Sequence, residues 1–111
     1  MSPDWNDYEP VHADRRNLCI HLLAVPLFAI ALPTALTMLA RAEYVLAIAS
    51  LLMMIASLVG QGLGHAKESI PPRPFKGPGD FLKRWFSEQY FIFPVFLLTG
   101  RWWRQYQTAA R

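Results

Sequence analysis

Two stretches of this chain carry no charge, and they lie almost back to back. Asn17 to Ala40 runs for 24 residues without Asp, Glu, Lys or Arg, and Tyr44 to Gly64 for 21. Only Arg41, Ala42 and Glu43 separate them. A helix needs roughly 20 apolar residues to cross a hydrocarbon layer of about 30 Å, and both runs meet that length. A water-soluble fold of 111 residues has too little interior to hide two helices that are apolar all round. The expected architecture is therefore all-α: an integral membrane hairpin with antiparallel spans at about 18–40 and 44–65, in one domain covering 1–111.

A cleaved leader is the competing reading of the first run, since Arg15 and Arg16 precede it and "ARA" follows at Ala40 to Ala42. The run exceeds an h-region of about 7–15 residues, and Asp4, Asp7, Glu9 and Asp14 stand where an n-region is basic. Retention is expected. The net charge of +3 does not point to nucleic acid, because the basic residues flank the apolar runs. Arg15 and Arg16 precede the first; Lys67, Arg73, Lys76, Lys83 and Arg84 follow the second. That asymmetry predicts an orientation with the N-terminus and the open end of the hairpin in the cytoplasm and Arg41–Glu43 outside. The single Cys19 excludes an internal disulfide.

The rest of the chain is more mixed. "PPRPFKGPGD", Pro71 to Asp80, reads as a stiff loop, with Asp80 as N-cap of the next helix. Phe81 to Gly100 is amphipathic at first and apolar later, and Pro94 should kink it. Its apolar centre is too short to span alone. A kinked amphipathic, re-entrant or interfacial helix is expected, with a third span as the alternative, and "RWWRQY" should anchor at the interface. Glu88 is expected to pair with Arg84 one turn back.

Chemistry concentrates at one end of the hairpin. His12 precedes the first span, His21 lies in its first turns and His65 ends the second, so antiparallel packing sets all three histidines at one depth. Asn17 and His21 are spaced i, i+4; Gln61, His65 and Glu68 are spaced i, i+4, i+7. Singly, each has an ordinary role as interhelical hydrogen-bond glue, a boundary residue or an ion-pair partner. Together they resemble a ligand field, because polar groups at membrane depth are expensive and imidazole is the commonest metal ligand. Gly60, Gly62 and Gly64 surround them, and the 60/64 pair is a small-xxx-small face that lets another helix approach closely.

The pattern Y-x3-H-x4-N-x3-H from Tyr8 to His21, followed by "LLAVPL", then "QGLGH" with Glu68 and a proline-rich stretch, resembles the small membrane proteins of the 2-hydroxy-palmitic acid dioxygenase family, in its bacterial branch, over residues 8–100. Glu68 stands three residues after His65, where many members place it four after. The resemblance implies an Fe(II)-dependent enzyme of fatty-acid α-oxidation that uses O2 to shorten a 2-hydroxy fatty acid by one carbon. It implies Fe(2+) as cofactor and His12, His21 and His65 as ligands and catalytic centre; beside them Asn17, Gln61 and Glu68 are the candidate cofactor-binding groups, as direct ligands or as partners of the ligands. The expected partners are a 2-hydroxy fatty acid, O2 and the lipid bilayer; no nucleic acid is expected, and a homo-oligomer is allowed. The rival classes are a non-catalytic assembly or lipid-binding protein and a haem protein with His21 and His65 as axial ligands.

Overall fold

The computed structural model describes residues 4–109, and among them the architecture is helical with no strand. A short helix α1 (Trp5–Tyr8) and a 3₁₀ turn (Glu9–Val11) lead to His12. Asp14 then caps α2 (Arg15–Ala40), its carboxylate accepting from the Arg16 amide at 2.8 Å. After the turn comes α3 (Tyr44–His65). The two long helices are the expected antiparallel hairpin, within a few residues of the expected limits.

Only 22% and 17% of the most apolar stretches of α2 and α3 is buried inside the protein. Leu23, Ile30, Leu36, Val45, Ile48 and Leu52 all point outward. Core helices of a water-soluble bundle do the opposite, so these two helices are long and apolar enough to cross a membrane and present their apolar surface to do so. The turn between them closes through Ala42, held at φ 57°, with the Ala42 and Glu43 amides donating to the Leu39 and Met38 carbonyls.

The chain then crosses a loop to α4 (Pro78–Ser87), a π-turn (Glu88–Ile92), α5 (Phe93–Leu98) and α6 (Arg101–Thr108). Proline at the first position starts α4 three residues earlier than the sequence suggests. Asp80 is thus inside the first turn and reaches back to accept the Lys76 amide at 3.0 Å, instead of acting as N-cap. The π-turn lies just ahead of Pro94, and the Phe93 amide donates to the Glu88 carbonyl. The segment lies against the open half of α2. Trp85, Phe86 and Tyr90 contact Phe28, and Phe93 meets His21. Pro33 has no amide hydrogen for the carbonyl of Ala29, four residues earlier; the Tyr90 hydroxyl donates to that carbonyl at 3.1 Å.

The α6 helix folds back onto the start of the chain. The Trp102 indole donates to the Leu18 carbonyl at 3.0 Å, Arg15 to the Tyr106 carbonyl at 2.9 Å, and Gln105 to the Glu9 carbonyl at 2.7 Å. Arg101 therefore lies with Arg15 at the open end of the hairpin, where it pairs with Glu9. A small core of Tyr8, Leu18, Val25, Phe93, Phe96 and Trp102 ties α1, α2, α5 and α6 together there.

Candidate metal centre

Three elements each deliver one imidazole to the open end of the hairpin: the 3₁₀ turn His12, α2 His21 and α3 His65. His12 and His21 are buried, and His65 is half-buried. Their ring centroids are 4.8–5.1 Å apart, each pair close to edge-on. One nitrogen of each ring lies within 4.8 Å of the others. Nitrogens around one divalent ion at about 2.1 Å stand roughly 3–3.5 Å apart, so an inward shift of each ring by about an ångström closes the cluster on an ion.

Hydrogen bonds set the tautomers. His12 Nδ1 faces the Tyr8 carbonyl at 2.8 Å, and His21 Nδ1 faces the Asn17 carbonyl at 3.1 Å. A carbonyl only accepts, so both rings carry a proton on Nδ1, and in the neutral imidazole, the form that binds a metal, Nε2 is the atom with the lone pair. His65 has the Val11 backbone as its hydrogen-bonding neighbour, and its Nδ1 is buried. His12 Nε2, His21 Nε2 and His65 Nδ1 are buried without any hydrogen-bond partner. Buried polar atoms are rarely left so. Three together, with the opposite ring atoms of His12 and His21 anchored on backbone carbonyls, form a group that could hold a metal ion.

Glu88 completes the surroundings. Its Oε1 lies 3.7 Å from His12 Nε2 and 3.9 Å from His21 Nε2, and accepts the Tyr8 hydroxyl at 2.9 Å. Tyr8 stacks on the His12 ring at 3.8 Å. Burial and the neighbouring Glu88 charge push the Tyr8 phenol well above its ordinary pKa, so it stays a donor. The expected Glu88–Arg84 pair does not form: Arg84 pairs with Asp80 and donates to the Pro74 and Arg73 carbonyls.

The other sequence candidates are close by but engaged elsewhere. Glu68 accepts the Ala13 and Asp14 amides at 2.9 and 3.0 Å and the Asn17 side-chain amide at 2.7 Å. It is a clamp on the turn into α2. The Asn17 amide also donates to the Val11 carbonyl. Gln61 forms a reciprocal amide pair with Gln89, 2.9 Å each way, and donates to Ser57, whose hydroxyl donates to the Ala24 carbonyl. Asn17, Gln61 and Glu68 thus fix the frame that carries the three imidazoles.

A haem between His21 and His65 does not fit this packing. The His12 ring is within about 5 Å of both, leaving no slot for a macrocycle between the axial nitrogens. No family profile, curated protein or solved structure matches the chain.

Proposed function

We propose that this chain is a membrane-embedded, Fe(II)-dependent dioxygenase that shortens a 2-hydroxy fatty acid by one carbon. The observation that carries the reading is the trio of clustered imidazoles at the open end of the hairpin, each with a buried, unpartnered nitrogen. The metal class follows from imidazole donors with positions left for substrate and O2; the substrate class follows from the Tyr8–His21 and Gln61–Glu68 motifs with their family resemblance, and from the outward apolar helices. The overall change balances as R–CH(OH)–COOH + O2 → R–COOH + CO2 + H2O. The C1–C2 bond breaks and O2 takes up four electrons. Bound Fe(II) supplies the redox chemistry toward O2.

The protein's own residues supply placement. The Tyr8 and Asn17 carbonyls fix the His12 and His21 rings by their Nδ1–H bonds, and Phe93 and Phe96 shield the cluster from water. The acyl chain lies along the apolar helices, with its carboxylate and 2-hydroxyl at the histidine level. Arg15, Arg16 and Arg73 are already held by the Tyr106 carbonyl, Asp14 and Asp7, so they are poor candidates for the carboxylate's counter-ion. Metal analysis and turnover test the reading together. Detergent-purified protein loaded anaerobically should retain about one iron per chain without a Soret band, and in air should convert 2-hydroxyhexadecanoate to the acid one carbon shorter. Protein that binds no iron, or binds it without consuming the hydroxy acid, overturns it.

The same proposal places the chain in the bacterial inner membrane with its open end cytoplasmic. Arg15, Lys67 and Arg101 gather at that end, and Arg41 stands alone in the turn. On a background with Cys19 replaced, an impermeant thiol reagent applied to sealed cells should label a cysteine at Ala42. Labelling of a cysteine at Gly77 in the same cells reverses the orientation.

A further inference from the structure

The three imidazoles are neutral donors, so a divalent ion among them would leave two uncompensated positive charges in a largely buried pocket. Buried charge of that size calls for an opposite charge in contact. Two carboxylates come near the cluster. Glu68 spends its oxygens on two backbone amides and the Asn17 side chain. Glu88 instead sets one oxygen 3.7 and 3.9 Å from the unpartnered nitrogens of His12 and His21. Those spacings are already within a few tenths of an ångström of the ligand–ligand edge around one ion, about 3–3.5 Å.

The local backbone explains how Glu88 gets there. In a regular α-helix Glu88, Gln89 and Phe93 fan round the axis. The π-turn over Glu88–Ile92 widens that turn by one residue, a feature frequent at functional sites. It lets Glu88 reach His12 and His21, Gln89 reach Gln61 and Phe93 reach His21 from one stretch of helix. The Tyr8 hydroxyl then fixes the oxygen that faces the rings.

We infer that Glu88 is the fourth protein ligand, making a three-histidine, one-glutamate centre, and that Tyr8 is its positioning residue. The inference rests on reading the histidine cluster as a metal centre.

Cobalt(II) titration of the full-length protein in detergent tests this without turnover. The wild type should bind one cobalt with visible ligand-field bands. Glu88→Gln, which keeps the shape and removes the charge, should weaken binding more than about a hundredfold and shift those bands. Tyr8→Phe, which keeps the stack on His12, should weaken it by a smaller factor within about 10–100-fold. Infrared difference spectra of glutamate-13C-labelled wild type should show a metal-bound carboxylate on cobalt addition, an observation that needs no variant to fold. A wild type that binds no cobalt overturns the metal centre itself. Normal cobalt binding with unchanged affinity and bands in Glu88→Gln, or with no labelled carboxylate shift, overturns only the assignment of Glu88.

Discussion

His21→Ala is expected to leave the purified protein without stoichiometric iron while the hairpin still forms. The His21 ring is fully buried, its Nδ1 is tied to the Asn17 carbonyl one turn back, and it packs on Phe93. Losing a ligand should cost more than the 10–100-fold that follows loss of a ligand's hydrogen-bond partner. Affinity should therefore fall by more than about a hundredfold. The cavity left by the ring adds a separate stability cost of about 1–3 kcal/mol. Thermal unfolding separates the two effects. Metal at about 100 times its dissociation constant should stabilise the wild type by about 2.7 kcal/mol; the variant should start lower and gain almost nothing. His12→Ala and His65→Ala should behave alike, because each removes one of the three unpartnered nitrogens. If any one of the three retains full iron and the full metal-dependent gain, that histidine is not a ligand.

The features that the sequence makes legible are those with a one-dimensional signature. The hairpin follows from two charge-free runs and a three-residue break. The gathering of His12, His21 and His65 follows from counting residues along antiparallel helices. Glu88 carries no such signal. A glutamate four residues after Arg84 on an amphipathic helix has the signature of a surface pair. Only the π-turn and the fold-back of the C-terminal segment bring it to the histidines. Glu68 misleads for the converse reason. Its i+7 relation to Gln61 presumes a helix that continues, but α3 ends at His65. Glu68 therefore lies past the helix end and turns toward the free amides of Ala13 and Asp14. Gln61 does lie on the inner face, yet the partner that satisfies its amide, Gln89, comes 28 residues later.

The glycines near the end of α3 carry the other large effect. A methyl group at Gly64 would drive into the Asn17 amide oxygen, with the Asn17 Cγ at 3.2 Å and Cα at 3.5 Å behind it. The side chain cannot swing clear cheaply, because its amide nitrogen is held by Glu68 and the Val11 carbonyl. The close approach of the spans is thus Gly64 against Asn17, one turn before His21, and the Asn17 carbonyl orients the His21 ring. Gly60 and Gly62 differ. A Cβ at Gly60 would make an ordinary 3.8 Å contact with Ile20, and one at Gly62 would meet open space. Glycine in a helix interior costs about 1 kcal/mol relative to alanine, so Gly60→Ala and Gly62→Ala should be neutral or slightly stabilising and keep full iron. Gly64→Ala should lose about 1–3 kcal/mol to overpacking and weaken iron binding. Gly64→Leu should abolish binding while the protein still inserts, since Leu pushes α2 from α3 at the level of the imidazoles. Wild-type iron in Gly64→Leu would mean that the glycine serves only to loosen the end of the helix, and that the spacing of the spans at Asn17 does not govern the cluster.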